Sequence, residues 1–130
     1  MEIPPPKHHS EAFLRIVEDA KTHIKEITID QYREMLQSGT AGQLVDVRED
    51  SEYAAGHARG AVHLGKGVIE RDIEHAFPDK GTKLVLYCGG GFRSALAADN
   101  IRRMGYTNVL SLDGGWRAIL AAGLPVEPEP

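Results

Sequence analysis

The sequence predicts an α/β fold, a parallel sheet with helices on both faces, from two observations. Short apolar runs, Gln43 to Val47, Leu84 to Tyr87 and Val109 to Leu112, are too brief for helices and are bounded by turn residues. Between them lie longer stretches whose apolar residues recur at helical spacing. Strands alternating with helices in this way favour a sheet of parallel strands with the helices laid over its faces. No internal repeat breaks the alternation.

The elements follow in order. Three consecutive prolines, Pro4 to Pro6, make the first seven residues an extended arm. Ser10 caps a helix in which Phe13, Leu14, Val17, Ala20 and Ile24 share one face. That face needs cover, either from the domain itself or from a second copy; the first is favoured. His8 and His9 are read as solvated, because no cysteine or carboxylate set stands at ligand spacing from them. Lys25 to Ile27 is a short strand. Thr28 and Gln31 then make a capping box for a helix that carries Tyr32, Met35 and Leu36 and ends at Gly39. The strand Gln43 to Val47 runs into the charged set Asp46, Arg48 and Glu49. Ser51 to Ala55 gives one helical turn stopped by Gly56, and Val62 to Leu64 is a short strand. Val68, Ile69, Ile73 and Phe77 mark a helix that Pro78 stops. Beyond the strand Leu84 to Tyr87, Ala95, Leu96, Ala98, Ile101 and Met104 define a helix closed at Gly105. Trp116 to Ala122 is the last helix, with Trp116 expected as a core anchor. The divisions are an arm and extra helix over 1–25, a domain over 26–126, and a tail over 127–130, too polar and proline-rich to pack and expected to be disordered.

The chemistry concentrates at Cys88, the one cysteine, placed where the strand Leu84 to Tyr87 meets Gly89, Gly90 and Gly91. Glycines permit positive φ and a close approach of main chain to a ligand. Successive amide N–H groups from Gly89 through Phe92 and Arg93 to Ser94 can turn inward, and the helix N-terminus places partial positive charge behind them. Such a cradle favours anions: a Cys88 thiolate, a persulfide on it, or an anionic substrate. Arg93 adds a planar fork suited to oxyanions. A cysteine that merely fills a strand end would not need three glycines, an arginine and a helix start after it. Cys88 is the candidate catalytic residue, and Gly89, Gly90, Gly91, Phe92, Arg93 and Ser94 the candidate substrate-binding set. Asp46, Arg48 and His57 are open between structural and functional roles. Asp46 and Arg48 are read first as partners of backbone groups and each other.

Three ordered motifs resemble the rhodanese-like family. Asp46-Val47-Arg48-Glu49, followed by Glu52-Tyr53 and Gly56-His57-Ala58-Arg59-Gly60-Ala61, is similar to its first signature. Cys88-Gly89-Gly90-Gly91-Phe92-Arg93-Ser94-Ala95 resembles its active-site loop. Gly105-Tyr106-Thr107-Asn108-Val109, Asp113-Gly114-Gly115-Trp116 and the closing Gly123-Leu124-Pro125 resemble its C-terminal signature. The resemblance implies a mostly parallel central sheet and sulfur transfer through a cysteine persulfide, with no cofactor and no metal. It also implies that the loop activates the cysteine, so His57 is read as a hydrogen-bonding residue of its turn rather than as a base. The partners it implies are a small-molecule sulfur donor and a thiol acceptor, or a partner protein. Thiosulfate, a mercaptopyruvate-like acid, glutathione persulfide and a protein persulfide all stay open as donors.

Composition excludes some alternatives. The net charge of −4, with both signs mixed along the chain, offers no nucleic-acid surface, and no stretch is long enough to cross a membrane. The N-terminus lacks the pattern of a signal peptide, so the expected location is the cytoplasm, as a monomer or weak homodimer. A cysteine phosphatase would carry five residues between cysteine and arginine, whereas four separate Cys88 from Arg93, and no aspartate follows within the loop as a leaving-group acid. Arsenate reduction would need thiols that this chain lacks. A catalytically weak interaction or sulfur-carrier module is the alternative from another class.

Overall fold

A computed structural model describes residues 1–128. In chain order the elements are α1 (Glu11–Lys21), β1 (Lys25–Ile27), α2 (Ile29–Ser38), β2 (Gln43–Asp46), α3 (Asp50–Ala55), β3 (His57–Ala58), β4 (Val62–His63), α4 (Ile69–Ala76), β5 (Leu84–Tyr87), α5 (Phe92–Arg103), β6 (Val109–Leu112), α6 (Gly115–Ala121) and β7 (Val126–Glu127). Five strands make the main sheet in the order β1-β6-β5-β2-β4, each parallel to its neighbours, while β3 and β7 pair antiparallel to one side.

Successive side chains of a strand point to opposite faces, and along β5 this divides the core in two. Leu84, Leu86 and Cys88 join one apolar cluster with Ile69 and Ile73 of α4 and Ala97, Ala98 and Ile101 of α5. Val85 and Tyr87 join the other, with Tyr32 of α2 and Trp116 and Ile119 of α6. A strand apolar at every position therefore reflects a sheet covered on both faces.

Local caps set the helix starts. Ser10 Oγ accepts the Phe13 N–H, and Thr28 and Gln31 form the expected reciprocal box. Helix α1 lies on α5 and buries Val17 and Ala20, so its apolar face finds its cover within the chain. Held between the sheet and α1, α5 buries Ser94, Ala95, Ala97 and Ala98 on more than one side, which is why its sequence is rich in alanine rather than cleanly two-faced.

Three expectations change. Val68 precedes α4 and is exposed instead of lying on its buried face. His9 is not solvated; its ring packs 4.5 Å from Phe92 and 5.1 Å from Phe13. Glu127 does not belong to a loose tail, because β7 pairs it with His57, whose Nε2 lies 3.3 Å from Glu127 Oε2. The rest of the tail as far as Pro128 forms no helix or strand, and the expectation for 129–130 lies outside the described residues.

Candidate active site

Cys88 stands at the carboxyl end of the central strand, beside the end of β2, where an open parallel sheet presents its ligand site. Its Sγ accepts N–H bonds from Gly91 at 3.2 Å and Ser94 at 3.3 Å, and the thiol reaches Ser94 Oγ at 3.5 Å. Ser94 Oγ lies 2.9 Å from Ser111 Oγ on β6, so the hydroxyl beside the sulfur is held by the neighbouring strand.

The loop path depends on two glycines. Gly91, at φ +102°, adopts a conformation that disfavours a side chain, and a Cβ there would press on Gly114 N and Leu112 O. Gly115, at φ +48°, lets α6 start directly against the loop; a Cβ on it would collide with the Cys88 carbonyl. The close approach allows Trp116 N–H to donate to Cys88 O at 2.7 Å and Arg117 N–H to Gly89 O at 3.2 Å. These bonds turn two loop carbonyls toward α6 and away from the sulfur. An anion at Cys88 is thereby spared the nearby acceptor dipoles while the amides remain.

Cys88 borders a cavity of about 640 Å³. The six candidate substrate-binding residues divide around it. Gly89, Gly90, Phe92 and Arg93 line the cavity, whereas Gly91 and Ser94 lie behind it and hold Sγ. The cradle expected from Gly89 to Ser94 is thus two structures: an inner pair of donors to the Cys88 sulfur and an outer rim that lines the cavity.

Arg93 lines the cavity with its charge already engaged. Its Nη1 and Nη2 donate to Glu52 Oε1 and Oε2 at 2.7 and 3.1 Å, a two-point pairing. Glu52 is aimed by its place at the start of α3, where its carboxylate also accepts the Glu49 N–H at 3.1 Å. The Arg93 hydrogen bond foremost, against the opposing effect of burial, holds the Glu52 carboxyl down at about 2. Although Glu52 stands in the first motif, nothing in its separation from Arg93 announced the pairing.

Asp46 and Arg48 take the structural role. Arg48 Nε and Nη2 bind the Asp46 carboxylate at 2.8–3.1 Å, and Nη2 also donates to Gly56 O at 2.6 Å. Tyr87 Oη donates to Asp46 Oδ2 at 2.6 Å and accepts the Ala58 N–H at 3.1 Å; burial, and then the Asp46 charge, push its hydroxyl pKa well up. The Arg48 guanidinium lies 4.6 Å from the Trp116 ring centroid, closing a buried network under the site. His57 binds Tyr53 O at 2.9 Å through Nδ1 and stacks on the Tyr53 ring, and it is not among the residues lining the cavity. It is a hydrogen-bonding residue as expected, but it opens strand β3 rather than sitting in a turn.

Two further residues line the cavity. Trp116 is buried in the core cluster yet also lines the cavity, and Asp113, from the turn after β6, supplies a carboxylate that the loop itself lacks. The position of Asp113 at a strand's carboxyl end was the available signal. Among the described residues, no group of three His, Cys, Asp or Glu side chains is arranged to hold a metal ion, and no helix is long and apolar enough to cross a membrane.

This arrangement, a parallel sheet delivering one cysteine into a glycine loop that opens a helix, has counterparts. A family model described as the rhodanese-like domain matches residues 28–122. The chain belongs to the rhodanese-like sulfurtransferase family. It is 35% identical over 103 residues to the thiosulfate sulfurtransferase GlpE of Haemophilus influenzae, covering 79% of this chain and 94% of that protein. It is 28% identical to the putative sulfur carrier protein YrkF of Bacillus subtilis, covering 72% of this chain but only half of YrkF. Among solved structures, a Rhodopseudomonas palustris protein of unknown function, described as a possible tyrosine phosphatase, superposes with a TM-score of 0.79 at 28% identity, covering 95% of this chain and all of the other. The polysulfide-sulfur transferase homodimer of Wolinella succinogenes gives 0.73 at 25% identity, covering 88% and 86%.

Proposed function

We propose that this chain catalyses transfer of sulfane sulfur through a persulfide on Cys88. The carrying observation is that Cys88 Sγ accepts two amide N–H bonds at the edge of the cavity while α6 draws back the Cys88 and Gly89 carbonyls. The GlpE likeness supports thiosulfate as one donor. The Cys88 thiolate attacks the outer sulfur of thiosulfate; an S–S bond forms to Cys88, the original S–S bond breaks, and its electron pair leaves with sulfite. Amides of Gly89, Gly90, Phe92 and Arg93 then surround the outer sulfur of the persulfide anion. In the second half-reaction a thiolate, or cyanide in the test tube, attacks that outer sulfur and returns Cys88 as thiolate. Two half-reactions through one covalent intermediate give ping-pong kinetics. The donor is a small molecule or a partner protein's persulfide, and the acceptor a small-molecule or protein thiol.

Intact mass after mixing with thiosulfate tests the reading. The chain is expected to gain one sulfur atom, and Cys88→Ser to gain none while keeping its circular dichroism spectrum and melting temperature. Turnover in the serine variant would sink the mechanism. Phosphoryl transfer is a second reading favoured by one observation, Asp113 in the cavity wall as a candidate acid. Against it stand the four-residue spacing and the engagement of Arg93 by Glu52; release of phenol from an aryl phosphate, lost in Cys88→Ser, would favour it.

A further inference from the structure

The cavity over Cys88 has a wall from outside the region that matches the family. Pro4, Pro5, Pro6, Lys7 and His9 line it together with Phe13 of α1, whereas the family match begins at residue 28. The arm is held in three places. Arg117 Nε donates to Pro4 O at 3.0 Å, the Met1 side chain fills the space in front of Gly56, and the His9 ring packs against Phe92 of the loop. Three successive prolines also restrict the arm to an extended form before anything binds, so little ordering entropy remains to oppose its use as a wall.

The dimensions and chemistry of this open cleft exceed what thiosulfate requires. An ion of five heavy atoms occupies roughly 150 Å³, counting each at the ~30 Å³ share of a water molecule, against about 640 Å³ here. Phe13, Phe92, Trp116 and the prolines present apolar surface that an inorganic dianion has nothing to match. The charge is distributed to suit a second anionic group away from the sulfur. Arg93 is offset by Glu52, but neither Lys7 nor Arg117 is paired with a carboxylate among the described residues, and Asp113 is the remaining carboxylate of the wall.

Building on the sulfur-transfer reading, we propose that the N-terminal arm makes this site select a carboxylate-bearing organic persulfide over a small inorganic donor. The organic body lies between the prolines and the Phe92 and Trp116 rings, and its carboxylate faces Lys7 and Arg117. In the transfer, Cys88 thiolate attacks the terminal sulfur of R–S–SH; that sulfur and its proton join Cys88, and the S–S bond breaks with its electron pair leaving on the R–S⁻ thiolate.

Selectivity and binding are tested separately. Intact mass follows the rate at which Cys88 is loaded by glutathione persulfide and by thiosulfate in the full chain, in a variant lacking residues 2–7, and in Lys7→Glu, a change on an exposed residue that the fold tolerates. The ratio of the two rates, organic over inorganic, is expected to fall at least about tenfold on truncation and about fivefold in Lys7→Glu. A ratio that holds or rises in Lys7→Glu overturns the proposal. For binding, the single tryptophan, Trp116, reports by fluorescence on S-methylglutathione titrated into Cys88→Ser. Addition of Lys7→Glu is expected to weaken that binding about fivefold, and equal affinity overturns the proposal. S-methylglutathione has no sulfur to transfer, so this titration decides the arm's role even if Cys88 loads from neither donor, a result that would end the sulfur-transfer reading instead.

Discussion

Arg93 is the residue whose meaning changed most once its neighbours were in place. As a lone cation beside the loop it would attract an anionic donor outright; paired with Glu52 it is nearly neutral from a distance and directional at close range. Arg93→Ala therefore does more than delete a charge, because it leaves the Glu52 carboxylate bare in the cavity wall. The expected outcome is a rise in KM for thiosulfate larger than the fall in kcat, most of it reversed by adding Glu52→Gln, a coupling that steady-state kinetics on the four proteins measures. The pair also has a pH signature. Its folded carboxyl sits near 2 against an ordinary 4.5, so its stabilisation is fully present above about pH 4.5 and disappears as pH falls toward 2. The melting-temperature difference between the native chain and Glu52→Gln should be constant near neutrality and shrink below pH 4.5.

At the scale of elements, the loop works because its spacing brings Gly91 N–H and Ser94 N–H to one atom. One glycine inserted between Gly91 and Phe92 moves the start of α5 relative to Cys88 and separates those donors. Loss of a single well-placed anion donor costs about 10²–10³ in rate, and sulfur loading should fall by that order while circular dichroism stays native. The start of α6 makes a sharper test. Gly115→Ala combines an unfavourable positive φ with a collision against the Cys88 carbonyl, and about 1–3 kcal/mol of stability should be lost. Denaturant unfolding measures that cost. Persulfide formation should fall as well, since the displaced carbonyls of Cys88 and Gly89 lose the Trp116 and Arg117 donors.

On the scale of the whole molecule, the site rests on a buried polar unit that no single element contains. Asp46 from β2, Arg48 beyond it, Tyr87 from β5 and the Gly56 carbonyl satisfy one another beneath Trp116. Asp46→Ala strands a buried guanidinium and a buried phenol together. Breaking such a pair from one side costs about 3–5 kcal/mol, so the urea midpoint should drop sharply. In the fraction that stays folded, Cys88 should still load sulfur, because none of these four groups bonds to Sγ; a folded but inert variant would mean that the network acts on the chemistry directly.

The sequence by itself determined the alternation of strands and helices, the two principal helix caps, the cysteine and the loop that follows it. These depend on neighbours a few residues apart: a glycine's free φ, a serine ahead of an apolar face, a strand too short to be anything else. What only the tertiary structure decided are the contacts between distant segments. The partner of Arg93 stands forty-one positions away, the donors to the loop carbonyls come from α6, and the arm reaches the cavity from the far end of the chain. His9 illustrates the reason. Beside Ser10 it reads as an exposed polar residue, and only the packing of α1 on α5 brings it to Phe92. The nucleophile was legible because its cradle is local, whereas the shape of the space in front of it was not, because its walls come from segments that meet only when the chain folds.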